Sequence, residues 1–309
     1  MDIIFILILA LIIDIALGEP VNAWHPVAWL GKLISLEMRP APHQGKAKQL
    51  AFGIAAVLIT LAVVTAAAYF LFAYLKELNS LAYIIISALV LKFTFSLRRL
   101  RQAAITIKRL LSQGKLSEAR LSLRSLVSRN TADMDKSQVV AATVESVAEN
   151  SCDSFTAPLF YFLIFGVPGA IAYRIINTFD AMIGYHGEYE YLGKAAARLD
   201  DVANFIPARI TAIIIVLAAW ICGKNISQAW HIMIRDHGKT QSPNAGWTMS
   251  AIAGALGIQL EKAGHYKLGN NHYSLSLNAI DASVRIVMVT AIIWSLLSIS
   301  VQGVYLATS

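Results

Sequence analysis

Long uncharged runs separated by short, densely charged ones set the pattern of this chain. Leu50 to Leu75 is the clearest run, 26 residues without a charged side chain. Largely apolar runs with one basic residue each (Lys92, Arg174, Arg209 and Arg285) occupy 81–97, 155–176, 206–223 and 284–306, and Ile3 to Leu17 is apolar except for Asp14. Crossing a bilayer core takes about 20 apolar residues in a helix. The six segments 3–17, 50–75, 81–97, 155–176, 206–223 and 284–306 are therefore predicted membrane segments, the first of them short. Gly166-Val167-Pro168-Gly169 interrupts the fourth. That segment is either one kinked span or the two arms of a re-entrant hairpin. Trp247 to Leu260 is apolar but too short to cross alone.

Between Arg98 and Ser154 the period changes. Leu97, Leu100, Ala104, Ile107 and Leu111 recur at helical spacing with bases on the opposite side. Gly114 breaks the pattern, LSEARLSLRSLVSR resumes it, and a third helix is expected to open near Thr131-Ala132-Asp133, capped by Thr131 or Asp133. Residues 98–154 thus form a polar helical insert of amphipathic helices at a membrane surface.

Composition agrees with this reading. The 309 residues are 57% hydrophobic and 15% charged, with mean hydropathy +0.58, against about 25% charged in soluble domains. The fold class expected is an all-α, polytopic helical integral membrane protein, a single membrane-embedded domain over 1–309 lying in the cell membrane. Ile3–Leu17 lacks a basic leader and a small-residue cleavage site, so it is expected to stay as a helix. The net charge of +7 points to anionic lipid rather than nucleic acid in a chain of this class. Loops 18–49, 92–154 and 223–283, with Arg285, carry 21 of the 26 lysines and arginines, which places them in the cytoplasm and both termini outside. Cys152 and Cys222 share no motif and are expected to be small buried residues.

Charge against hydrocarbon marks function more often than decoration. The stretch Asn177–Arg209 carries Asp180, Glu188, Glu190, Asp200 and Asp201 with Lys194, Arg198 and Arg209. Asp200 and Asp201 are consecutive, so on a helix only one can face Asp180. Ion pairs that merely hold helices together are the plain alternative. In VESVAENSCDS, Glu145 and Glu149 share a helical face, with Asp153 one turn further if the helix persists. Such oxygen ligands beside Asn150 suit Mg²⁺ shared with substrate phosphates; a solvated helix face would look the same. Ser242-Pro243-Asn244-Ala245-Gly246 reads as a turn leading into a small-residue helix, whose first N–H groups suit an anion. His25 follows Trp24 at the interface. Gly187–Ala195 is no P-loop: it is one residue too long, carries two acids and lacks the Ser or Thr.

These motifs together resemble the CobD/CbiB family, the adenosylcobinamide-phosphate synthases of cobalamin biosynthesis. The matching stretches are GEPVNAWHPVAWLGKLI, SRNT at 128–131, VESVAENSCDSFTAPLFY, PGAIAYRIINTFDAMIGY, ARLDDVANFIPARITA and SPNAGWTMSAIAGALG, in order from about residue 10 to residue 260. Asn130 stands where Asp is common, Ala181 where Ser is usual and Phe205 where Tyr is frequent; Asn130 argues against a metal-binding carboxylate at that position. The resemblance implies that aminopropanol or its phosphate is joined by an ATP-dependent amidation to the ring-D propionate of adenosylcobyric acid. It implies Mg²⁺–ATP held by Glu145, Glu149 and Asp153, with Asp180, Asp200, Asp201 and Arg198 in catalysis. Arg129, Asn150, Asn177, Arg209, Ser242, Asn244 and His25 would bind ATP and substrate. The implied partners are the corrinoid, the amine, the bilayer and other corrin-pathway enzymes. Two other readings keep the same spans: a transporter of an organic anion with intramembrane acids as relay, and a non-catalytic scaffold for corrin enzymes. A transporter usually shows paired broken helices, and the broken segment 155–176 has no evident counterpart.

Overall fold

The computed structural model describes residues 1–19, 24–127, 129–185, 189–262 and 264–308. Parts of two motifs, 20–23 of GEPVNAW and Ser128 of SRNT, and Glu188 of the charged strip lie outside the described residues. The chain is helical almost throughout, as its hydrophobic pattern predicts, and forms two compact units.

The first unit comprises Met1–Ser96, Ala157–Ala203 and Ile299–Ser309. It contains α1 (Asp2–Leu17), α2 (Pro26–Met38), α3 (Lys46–Leu78), α4 (Ser80–Lys92), α8 (Ala157–Ile183) and α9 (Lys194–Ala203). Its core joins Ile34 of α2, Val57 of α3, Ile175, Phe179 and Ile183 of α8 and Ala196 of α9. Two glycines allow this packing. A Cβ on Gly53 would lie 1.9 Å from the Leu192 carbonyl oxygen, and one on Gly193 would lie 1.7 Å from that of Ile183. Either contact is far inside van der Waals range, so the turn at 192–193 meets the backbones of α3 and α8 there without side chains. At Gly166 of α8, φ is 67° and ψ is −161°, a region essentially open to glycine only. With Pro168 two residues on, it produces the break expected at 166–169.

The second unit comprises Leu97–Thr156 and Asn204–Ser298. It holds α5 (Leu97–Ser112), α6 (Leu116–Leu123), α7 (Lys136–Ser151) with a π-turn at Cys152–Thr156, α10 (Phe205–Ile221), α11 (Ile226–Asp236) and α12 (Ala245–Leu256). A hairpin follows, β1 (Gln259–Lys262) antiparallel to β2 (Tyr266–Gly269), with Leu260 opposite Leu268. The last helix, α13, covers Leu277–Thr308. The apolar face predicted for α5 is buried at Leu97, Leu100, Ala104, Ile107 and Leu111. The third helix of the insert begins later than expected: Asp135 caps it, accepting from the Gln138 amide, and the Gln138 side chain returns to the Asp135 amide. Thr131 instead donates its hydroxyl to the Arg120 carbonyl. Helix α12 is buried along nearly its whole length because its residues are small. Gly254 lets it approach α11, where a Cβ would come within 2.7 Å of the Gln228 carbonyl oxygen. Cys152 is buried as expected, whereas Cys222 is partly exposed at the C-cap of α10.

Among the described residues four helical stretches are long and apolar enough to cross a membrane: Lys46–Leu78, Ser80–Ser112, Lys136–Ile183 and Leu277–Thr308. A fifth arises if the bent pair α9 and α10 is one span. Helix α1, at 16 residues, falls short of the length a span needs. In the third stretch the long apolar run begins at Phe155, after Asp153 and well before Arg174 and Asp180, so α7 is its more polar half.

Candidate functional site

The second unit contains a polar cleft of about 240 Å³ where α7, Leu126, Val127 and Arg129, the 240–242 turn and the hairpin converge. Glu145 and Glu149 enter from α7, Arg129 from the chain before it, Ser242 from the turn, and Lys262, His265 and Tyr266 from the hairpin. Helical spacing puts the two glutamates in one cleft. The π-turn that starts at Cys152 widens the helix and breaks the four-residue register, and Asp153 is not among the lining residues.

Glu145 is the most constrained of these groups. Its side chain is 6% exposed, and its Oε2 accepts from Arg129 Nη2 at 2.7 Å. Its Oε1 is buried in the cleft wall and makes no hydrogen bond of normal geometry, while the Tyr266 hydroxyl lies against the same carboxyl. Burial raises the Glu145 carboxyl to about 7; Arg129 opposes the rise, while Glu149 adds to it. Burial together with the two carboxylates also pushes the Tyr266 phenol up, so it stays protonated and able to donate. Among the described residues no group of three or more His, Cys, Asp or Glu side chains is placed to enclose a metal ion. The carboxylates present fit an ion that takes most of its ligands elsewhere, as Mg²⁺ does when it sits between one or two carboxylates and substrate phosphates.

The Ser242–Gly246 turn leads into α12 as expected. Asn244 is the N-cap but its side chain caps no amide of that helix. It accepts from Arg209 Nη1 at 3.1 Å, and Arg209 also lies over the Phe205 ring at 3.5 Å and the Trp247 ring at 4.9 Å. His237 packs against the other part of this group, 4.0 Å from the Trp247 ring. Gly246 is required, since a Cβ would sit 2.0 Å from the His237 carbonyl oxygen. Asn150 donates to the Ser146 carbonyl and accepts from Ser154, bracing α7 from within.

The remaining predicted residues belong to the first unit. Asn177 accepts from Arg174 Nη1 at 2.9 Å and donates to Asp200 at 3.3 Å, while Asp201 pairs with the largely exposed Arg198 at 3.5 Å. The two consecutive aspartates therefore do face different ways. A Cβ on Gly184 would lie 2.0 Å from Asp180 Oδ1, so the Asp180 carboxylate folds back over the end of its own helix. His25 caps α2: its Nδ1 accepts from the Val27 amide at 3.2 Å, which leaves Nε2 to donate to Glu19 at 2.5 Å. Glu19 also binds the buried Lys92 at 2.6 Å, and Lys92 lies 3.8 Å from Asp14. The single interruption in the first apolar run is thus one end of a buried charge network. Sequence reading passed over Lys92 and the hairpin residues Lys262, His265 and Tyr266, because their partners come from distant parts of the chain.

The fold and the polar cleft define a polytopic helical membrane protein with a polar helical portion that carries convergent acids and bases. The chain belongs to the CobD/Cbib protein family, whose model matches residues 7–294. It is 51% identical to the cobalamin biosynthesis protein CobD of Dehalococcoides mccartyi (strain CBDB1), over 97% of this chain and 98% of that protein. It is 40% identical to the probable cobalamin biosynthesis protein CobD of Methanocaldococcus jannaschii, over 94% and 97% of the two chains. With that of Methanothermobacter thermautotrophicus it is 37% identical, over 96% and 97%. No solved structure matches the chain. Membership of this family places the protein in cobalamin biosynthesis.

Proposed function

We propose that the protein is an ATP-dependent acid–amine ligase that converts adenosylcobyric acid to adenosylcobinamide or its phosphate. Aminopropanol or aminopropanol phosphate would be joined in amide linkage to the ring-D propionate. A carboxylate resists attack by an amine because oxide is a poor leaving group. Transfer of the γ-phosphoryl group from ATP to the propionate oxygen gives an acyl phosphate and ADP; the neutral amine then forms the C–N bond as phosphate leaves and the nitrogen gives up one proton.

The observation that carries this reading is the cleft that holds Glu145 and Glu149 opposite Arg129, Lys262 and His265. Phosphoryl transfer needs both kinds of group: cations for phosphate oxygens and a metal-binding carboxylate. The bases and the Ser242 turn are suited to phosphate, and the buried Oε1 of Glu145 beside Glu149 is suited to Mg²⁺. When bound, that ion neutralises charge on the phosphate oxygens. Tyr266, held protonated, is a hydrogen-bond donor at the Glu145 carboxyl. Arg209, clamped between two rings and tied to Asn244, fixes the turn. The catalytic roles of Asp180, Asp200, Asp201 and Arg198, and substrate binding by Asn177 and His25, stand as proposals from the family resemblance.

The test is the full chain, reconstituted in a membrane mimetic, with adenosylcobyric acid, aminopropanol phosphate and Mg²⁺–ATP. Amide product with matching ATP consumption is expected, and Glu149→Gln should lower the rate at least about a hundredfold, the range for loss of an essential electrostatic group. Uptake of corrinoid into liposomes with no product would overturn the ligase reading in favour of transport.

A further inference from the structure

Helix α2 presents an unusual outer face. Trp29, Leu33 and Leu36 are exposed on it, and Trp24 is exposed just before it. Indole rings at a membrane boundary favour the headgroup level, where the ring is half in hydrocarbon and half in water. Beside this strip lies a groove of about 460 Å³, lined by Ala28, Gly31, Lys32, Ser35, Arg39 and Met182. Its floor is low because Gly31 has no side chain; a Cβ there would already be 3.6 Å from the Met182 sulfur.

The charge in this groove is one-sided. Lys32 and Arg39 are exposed, and neither side chain has an ion-pair or hydrogen-bond partner among the described residues. They are seven residues apart, two helical turns or about 10 Å along the axis, with the Ser35 hydroxyl between them. The one acid of α2, Glu37, is turned away, accepting from Thr60 of α3 at 2.7 Å. Two unpaired cations, a small-residue floor and flanking indole and leucine side chains match an amphiphile with a negatively charged head. A soluble anion would use the cations and leave the apolar strip without a role.

We propose that the groove between α2 and Met182 of α8 binds one anionic phospholipid, its phosphate between Lys32 and Arg39 and its acyl chains along Leu33, Leu36 and Trp29. The basic charge near the interface favours an anionic headgroup over a zwitterionic one by an amount that grows with each base, of the order of tenfold for two.

The experiment uses the full chain in nanodiscs containing equal amounts of phosphatidylglycerol and phosphatidylcholine, with the lipid retained after mild delipidation measured by mass spectrometry. The wild type should retain phosphatidylglycerol of the order of tenfold over phosphatidylcholine. Lys32→Gln with Arg39→Gln should bring the ratio close to one, while Lys46→Gln with Lys48→Gln, an equal charge loss outside the groove, should leave it unchanged. Thermal melting of both double variants shows that they are folded; Leu33→Ser, which keeps the charge, should weaken retention of both lipids and covers the case in which the charge variant unfolds. Excess inorganic phosphate should not displace the lipid. The proposal is overturned if the wild type shows no preference, if the groove variant keeps it, or if phosphate alone removes it, which would mark a soluble-anion site.

Discussion

Removing Arg129 reveals what burial of Glu145 costs. The Glu145 side chain is 6% exposed and Arg129 is its hydrogen-bonded cation. Breaking a buried pair from one side costs about 3–5 kcal/mol, because the other charge stays buried. The partly exposed Arg129 puts this pair near the lower end, so Arg129→Ala is expected to lose about 3 kcal/mol. Adding Glu145→Gln should recover most of it, as read by thermal unfolding in detergent. The sign with pH follows from the raised carboxyl. A folded-state value near 7 against the ordinary 4.5 means that the folded protein holds this proton more tightly than the unfolded chain. Its contribution favours folding below about pH 4.5 and is eroded as pH rises toward 7. The Arg129→Ala deficit should therefore be larger at pH 8 than at pH 5. Asp236 shows the opposite sign. Burial would raise it, but Arg235, Lys239 and the Gly269 amide together hold it down at about 2. Its contribution, about 1–2 kcal/mol, is present above pH 4 and lost as pH falls toward 2. Asp236→Asn should flatten the acid limb of the melting profile over that window.

At the scale of elements, the joints between helices are the sensitive points. Gly193→Ala would drive a methyl group into the Ile183 carbonyl, where the gap is 1.7 Å. Neither backbone can yield without undocking the start of α9 from the end of α8, so this variant should lose the folded protein in expression and size-exclusion assays. Gly166→Ala should be milder, about 1–3 kcal/mol for forcing an L-residue into glycine's region, and should leave the fold measurable by circular dichroism. The two glycines also mark what the sequence could disclose. Gly166 was legible because Pro168 and Gly169 accompany it inside an apolar run, and local backbone chemistry is written locally. The α5 face was legible for the same reason, since Leu97, Leu100, Ala104, Ile107 and Leu111 repeat at the period of the helix itself. Gly193 gives no such sign, because the carbonyl that demands it is ten residues away at the end of α8. The cleft divides in the same way. Glu145 and Glu149 announced themselves by spacing, whereas Tyr266 reaches them only through a short hairpin folded back from residue 259, and Asp153 left the shared face at a π-turn that no residue type predicts. Lys92 carries no local sign of its partners; only the packing of α1 on α4 brings it to Glu19 and Asp14.

For the whole molecule the distribution of basic residues makes a prediction about orientation that does not depend on how α1 is treated. Spans at Lys46–Leu78, within Ser80–Ser112, at the apolar half of Lys136–Ile183, at the bent α9–α10 pair and at Leu277–Thr308 leave loops 18–49, 92–154 and 223–283 on one side. Those loops, with Arg285, carry 21 of the 26 lysines and arginines, so that side is expected to face the cytoplasm. In a Cys152→Ser, Cys222→Ser background, Lys48→Cys, Lys115→Cys and Lys239→Cys should resist a membrane-impermeant thiol reagent in intact cells and react after lysis. Glu77→Cys, at the far end of α3, should react in both. Glu190→Cys reports on α8: reaction from outside shows that the helix crosses despite its Gly166 break, and reaction only after lysis shows that the break folds it back as a re-entrant hairpin. A cysteine at Asp2 settles α1, whose 16 residues are short for a span. Protection there leaves α1 on the cytoplasmic face and the two termini on opposite sides, in place of the shared exterior position that six spans require. If Lys48→Cys and Lys239→Cys label from opposite sides, the count of five spans is wrong, and the hydrophobic period has been misread in one of the helices between them.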